Sequence, residues 1–247
     1  ARFAITAAMD RPNIILILTD HFRRDAVGAS TPNLHRLAKR GVTFTNAYCP
    51  SPLCMPSRVA MVTGLYPSQT GVCGNMAEPI SPEVCRETYP SHLQRAGYYT
   101  ALIGKHHWID CYNLGVDVTT NDEMIKAYGV DHVFQVVDAG ENQHNENHYT
   151  KYLHSMGVLD RYREVMRTRG IEGPYPLPED DCEDGYIGRH GCEFIENYQD
   201  DKPFYLNLSF VGPHPPYWHP GDLAHDPAEM QPPLGADDSE RKRRRRD

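Results

Sequence analysis

Apolar residues run unbroken from Ile14 to Leu18, and Thr19-Asp20 follow at once. A continuous apolar run with polar ends predicts a strand buried on both faces, as in a parallel sheet. A helix is expected next. Thr31 can cap it, Pro32 suits its first turn, Leu34, Leu37 and Ala38 share a face, and Gly41 ends it. Val42 to Ala47 reads as another strand. Pro56 and Ser57 open a helix that continues through Met61 and Thr63 to Gly64. Ser91 to Ala96 is a short helix closed by Gly97, and Tyr98 to Gly104 is a strand. Residues 110 to 182 are rich in Asn, His, Tyr and acidic residues, with weak periodicity, and predict loops and short helices over the sheet edge. Asp184 to Gln199 is a helix and Phe204 to Phe210 a strand; beyond Pro220 the chain reads as coil.

Strands alternating with helices predict an α/β fold, a mostly parallel or mixed central sheet flanked by helices. In such sheets ligands gather beyond the carboxyl ends of the strands. Three expected strand ends carry polar residues of chemical interest: Asp20, Lys105 to His107, and His214. That convergence rests on pattern alone.

With 40% hydrophobic and 23% charged residues among 247, the chain has the composition of a globular protein of one large domain or two small ones. A net charge of -8 argues against nucleic acid as the main partner. The basic run Arg241 to Arg246 has no interleaved aromatics and reads as a solvated tail. The seven cysteines are odd in number and include no CxxC pair, so most read as free thiols of a reducing compartment. No apolar run approaches the roughly 20 residues of a membrane span. The first eight residues show no secretory signal and Met9 could be the natural start, so a cytoplasmic location without membrane association is expected.

Cys54 stands just before an expected helix start, with Arg58 one turn later. The positive end of a helix favours an anion, so a thiolate nucleophile is reasonable there; a buried structural cysteine is the plainer alternative. The longer string Ser51-Pro52-Leu53-Cys54-Met55-Pro56-Ser57-Arg58, with Thr63-Gly64 after it, resembles the sulfatase signature, although Met61 stands where that family usually has Leu. The resemblance implies an alkaline phosphatase-like fold and hydrolysis of sulfate esters. It implies that Cys54 is oxidised to formylglycine by a formylglycine-generating enzyme, and that a divalent cation, Ca2+ or else Mg2+ or Mn2+, is held by Asp20 and residue 54. His21 is a further possible ligand, a poor one for a cation that prefers oxygen.

Other segments resemble the family in the same order. Gly104-Lys105-His106-His107 is similar to its Gly-Lys-x-His segment, which implies that Lys105 holds a sulfate oxygen and His107 bonds the nucleophile or the sulfate. Pro213-His214-Pro215-Pro216 is similar to its Pro-His-x-Pro segment, which implies that His214 contacts the sulfate or protonates the leaving oxygen. Arg58 adds charge beside the nucleophile, and Asn75 lies where relatives place an active-site Asn. Trp108, Tyr112, Tyr217 and Trp218 are candidates for a sugar or aryl pocket or for ordinary packing. His144 and His148 could share a helix face, with exposed loop histidines the plainer reading.

The resemblance divides the chain into an N-terminal extension, 1–10, the front portion of a catalytic domain, 11–234, and a basic tail, 235–247. The family's later Asp-Asn or Asp-His metal pair and second Lys have no counterpart here, so this chain by itself is expected to be weakly active or inactive. The expected substrate is a small sulfated sugar or an aryl or alkyl sulfate. The rival functions are a phosphonate or phosphate ester hydrolase of the same superfamily and a non-catalytic truncated protein.

Overall fold

The computed structural model describes residues 11–28, 31–110, 115–168 and 172–219. The elements follow in order: β1 (Ile14–Leu18), α1 (Pro32–Ala38), α2 (Cys54–Thr63), α3 (Pro67–Thr70), α4 (Pro82–Cys85), α5 (Tyr89–Arg95) and β2 (Tyr99–Gly104). Then come α6 (Asp122–Lys126), β3 (His132–Gln135), α7 (His148–Ser155), α8 (Leu159–Thr168), β4 (Glu172–Pro174), α9 (Glu183–Asn197), β5 (Phe204–Ser209) and β6 (Tyr217–His219).

Four strands form a parallel sheet in the order β1-β5-β2-β3. Side chains alternate across it as the pleat requires. On one face Ala101, Ile103, Leu206 and Leu208 pack against Tyr149, Leu153, Tyr162 and Ile187 of α7, α8 and α9. On the other face Leu102 meets Met55, Val59 and Val62 of α2, together with Ile125 and Tyr128. Helices on both faces of a parallel sheet are the expected α/β architecture. β4 and β6 pair separately as a short parallel ribbon.

Four expectations change. β1 is an edge strand, and Ile15 and Ile17 are exposed because no described element packs on their face, so the run is not buried on both sides. Val42 to Ala47 forms no strand; no described strand offers it a ladder, and Val42 and Phe44 stand in solvent. Residues 110–182 do hold short helices, but they also supply β3, which pairs with β2 over Ala101–Gly104. The helix expected from Pro56 begins two residues earlier, at Cys54, after Leu53 in extended conformation. Pro56 sits in its first turn, where a missing N–H is least costly. Gly64, at φ 70°, ends it as expected. The segments 1–10 and 235–247, with Tyr112, lie outside the described residues.

Candidate active site

The register brings the carboxyl ends of β1, β5 and β2 side by side: Ser209 pairs with both Leu18 and Gly104. The approach at β2 is close. Gly104 adopts φ +100°, and a Cβ there would lie 2.0 Å from the Ser209 carbonyl oxygen. Past these ends the chain turns into Asp20, Lys105 and the loop bearing His214. The Asp20 N–H donates to the Gly212 carbonyl at 3.1 Å, tying two of the turns together. From α9, Asp184 accepts the N–H groups of Val211 at 2.9 Å and Gly212 at 3.1 Å, which fixes the loop before His214.

Cys54, at the start of α2, faces this ridge: its Sγ is 3.8 Å from Asp20 Oδ1. Lys105 Nζ lies 2.5 Å from Asp20 Oδ2 and 2.6 Å from Asp138 Oδ1, bridging two buried carboxylates. Arg58 Nη2 lies 3.4 Å from Asp20, while Nη1 donates to the Lys105 carbonyl and to Ser209 Oγ, both at 2.8 Å. His214 Nδ1 is 3.8 Å from Asp138 Oδ1. Asn75 Oδ1 accepts the Met55 N–H at 3.0 Å, so it steadies the first turn of α2 next to residue 54. His21 is half-exposed in left-handed backbone at φ 63°, with its ring 4.6 Å from that of His214 and Nε2 3.9 Å from Asp20.

Charge follows from this packing. Burial alone would raise the Asp20 carboxyl, but Lys105, Arg58 and His214 outweigh it and hold it at about 2. Burial raises the Cys54 thiol, and Asp20 and Asp138 push the same way against Lys105 and Arg58. The thiolate expected at the helix end is therefore disfavoured. Cys54 is a buried thiol beside a carboxylate, a poor nucleophile as it stands. Burial also lowers His107, with Lys105 adding to it, to about 3, so this imidazole is neutral at pH 7. His107 lines a small cavity with Lys105, Asp138 and Glu141. Burial, then Asp138 and Asp110, raise Glu141 to about 7.

Asp20, Cys54, Arg58, Lys105, His107, His214, Asn75 and His21 thus all fall at one end of the sheet. Asp138 was not foreseen. Its only signal is the apolar run from Val133 to Val137 that it ends, interrupted by Gln135. Trp108 is buried and stacks on Tyr128 at 5.2 Å, the packing alternative. His144 precedes α7 and His148 begins it, so the two share no helix face.

As metal donors, Asp20, Asp138 and His214 form one cluster, and His21, Cys54 and His214 another, each with ligand atoms within 4.8 Å. Calcium takes about six to eight oxygens. Asp20, anionic and aimed at residue 54, fits such a shell as one ligand and Asp138 as a second; thiol and imidazole suit it poorly. By donor type, Asp20 and Asp138 match two of the oxygens such a shell requires.

Two cavities open at this end of the sheet, and His214 lines the second. One, of about 400 Å³, holds Asp20, His21, Cys54 and Arg58. The other, of about 550 Å³, runs from His214 to Tyr175, Glu183, Asp184 and Trp218.

A family model described as Sulfatase matches residues 12–247. The choline-sulfatase of Rhizobium meliloti (strain 1021) is 31% identical over 243 residues, covering 92% of this chain and 43% of its own. The crystal structure of the phosphonate monoester hydrolase of Agrobacterium radiobacter superposes with a TM-score of 0.61 at 25% identity, over 86% of this chain and 43% of that one. The phosphonate monoester hydrolase of Silicibacter pomeroyi reaches a TM-score of 0.68 at 22% identity, over 90% and 46% of the two chains, and shares the fold. The chain spans about two-fifths of the length of the curated choline-sulfatase it matches.

Proposed function

Because this chain belongs to the sulfatase family, we propose that it is the nucleophile-bearing portion of a sulfuric ester hydrolase. The reading rests on the placement of Cys54 at 3.8 Å from Asp20, next to Lys105 and Arg58 and across from His214. Covalent catalysis divides one hard displacement into two easier ones. The raised Cys54 thiol argues against direct thiolate attack. Oxidised to formylglycine by a maturation enzyme, residue 54 would present an aldehyde hydrate with two hydroxyls. One attacks sulfur and displaces the alcohol; the other then expels sulfate and restores the aldehyde.

Around that centre Lys105 and Arg58 supply the fixed positive charge that a transferring sulfuryl group needs. His214, whose Nδ1 lies 3.8 Å from Asp138, is the candidate donor to the leaving oxygen. Lys105 and His214 would contact the sulfate. Asn75 positions residue 54 through the Met55 N–H. His107, buried and neutral beside Lys105, serves as a hydrogen-bonding group rather than as a cation. A divalent cation, which we take to be Ca2+, would be held by Asp20 and residue 54, with Asp138 within reach, and would add positive charge where the ester binds. The substrate is a sulfated sugar or an aryl or alkyl sulfate. The described cysteines are free, which supports a reducing, cytoplasmic setting.

Mass spectrometry of the peptide holding Cys54, from protein made in its own host, tests the first step and should find the aldehyde. Sulfate release from an aryl sulfate should fall at least about a thousandfold in Cys54→Ala, the scale of a lost nucleophile. Unmodified cysteine with no sulfate release, in the whole protein, would sink the proposal. The likeness to phosphonate monoester hydrolases favours a second reading, a phosphonate or phosphate ester hydrolase. An aryl phosphate diester assayed in parallel separates the two.

A further inference from the structure

Two imidazoles and a thiol converge on Asp20 beside the residue-54 pocket. Ligand atoms of His21, Cys54 and His214 all lie within 4.8 Å of one another. Asp20 Oδ1 is 3.8 Å from Cys54 Sγ and 3.9 Å from His21 Nε2. Its Oδ2 is engaged by Lys105 and Arg58, so Oδ1 is the oxygen turned toward the thiol and the imidazole. His214 Nδ1 lies 2.8 Å from the Pro215 carbonyl. A carbonyl only accepts, so Nδ1 carries the proton and Nε2 of the neutral ring keeps its lone pair. Histidines that bind metal are commonly held in this way, by a carbonyl on the other ring nitrogen.

One sulfur, two imidazole nitrogens and one carboxylate oxygen are the donor types of a tetrahedral zinc site. With Zn–S of about 2.3 Å and Zn–N or Zn–O of about 2.0–2.1 Å, neighbouring donors of such a tetrahedron stand roughly 3.3–3.5 Å apart. The two Asp20 separations, 3.8 and 3.9 Å, meet that with a contraction of roughly half an ångström or less. Thiolate and imidazole favour zinc over a hard cation such as calcium, which gains little from sulfur. The other donor cluster, Asp20, Asp138 and His214, lacks sulfur, and Lys105 Nζ stands 2.6 Å from its Asp138.

We propose that, while residue 54 is still a cysteine, the chain binds a zinc-class divalent ion through Cys54, His21, His214 and Asp20. Binding replaces the thiol S–H bond by a sulfur–metal bond, and the proton leaves to solvent. Four protein donors complete the tetrahedron and leave no open position for water, the arrangement of a site that holds an ion rather than one that activates a substrate. The bound ion shields the sulfur. Formylglycine at residue 54 has no sulfur, so this site belongs to the unconverted chain alone, and a hard cation at the converted residue draws on a different donor set.

The test uses the whole chain with a thiol at residue 54, verified by mass spectrometry, and Co2+ as the spectroscopic probe. Co2+ should give a sulfur-to-cobalt charge-transfer band together with the strong visible bands of tetrahedral cobalt. Zn2+ should abolish both, and Ca2+ neither. Cys54→Ala should remove the charge-transfer band. His21→Asn, a residue type that tolerates left-handed backbone, should weaken Co2+ binding at least about tenfold. Cys49→Ser, which alters the exposed thiol lining the same cavity, should leave the spectrum unchanged. If Cys54→Ala fails to fold, alkylation of the unaltered chain decides. Zn2+ should slow labelling of Cys54 at least about tenfold and leave Cys49 as reactive as before. An octahedral spectrum, a band lost with Cys49 instead of Cys54, displacement of Co2+ by Ca2+, or labelling of Cys54 indifferent to Zn2+ would overturn the inference. Failure to bind zinc leaves the hydrolase reading standing, since that reading concerns the converted residue. Zinc on a Cys54 that its own host never converts removes the hydrolase reading and leaves this one.

Discussion

Lys105 carries the largest electrostatic responsibility of any single side chain at the site. It is buried, and its ammonium lies between Asp20 and Asp138. A charge taken out of water persists only when it is paired, and breaking a buried pair is costlier than never having had one. Lys105→Met would leave two carboxylates facing one another, relieved only by Arg58 and His214. We expect it to lower the stability of metal-free protein by about 3–5 kcal/mol, read as the shift of the urea midpoint. A change under about 1 kcal/mol, the surface-pair range, would show that the bridge is solvated. Lys105, Asp20, Cys54 and His214 could be singled out in the sequence because each ends or begins a strongly patterned element. Asp138 could not, since its importance comes from Lys105 and His214, 33 and 76 residues away along the chain.

At the scale of elements, the punctuation of the chain was readable wherever local chemistry decides the conformation. α2 stops at Gly64 as expected, whereas α5 begins at Tyr89, two residues before the expected Ser91, after a Thr88 cap whose Oγ1 accepts the Ser91 N–H. β3 was not readable. It is four residues long, and what makes it a strand is the free edge of β2 rather than its own alternation. The same dependence on a neighbour explains the surplus strand expected at Val42, whose residues find no described edge to pair with. Two glycines separate local from non-local demand. Gly64, at φ +70°, has nothing within 4 Å of where a Cβ would stand, so Gly64→Ala should cost only the left-handed penalty of about 1–2 kcal/mol. Gly104→Ala meets the same penalty and a backbone oxygen of β5 at 2.0 Å. We expect it to be several times more damaging in thermal unfolding; equal losses would mean that β2 and β5 lie farther apart.

For the molecule as a whole, the parallel sheet with helices on both faces followed from the sequence, and the exposure of its first strand did not. Large apolar side chains in solvent concentrate between Ile15 and Leu53, among them Ile17, Leu37, Val42, Phe44 and Tyr48. Exposed apolar surface on this scale marks an interaction face. The 247-residue chain, purified alone, should therefore bind a hydrophobic dye and self-associate in sedimentation runs; a monodisperse monomer that leaves the dye dark would show that this face is covered. The order β1-β5-β2-β3 has one more consequence. The middle position between β1 and β2 is filled by a segment that a ribosome delivers after both of them. Until Ser209 emerges, Arg58 lacks the hydroxyl it holds and Lys105 the carbonyl its N–H meets. The Cys54 pocket is then still unsealed, so the thiol stays open to solvent for that interval of translation.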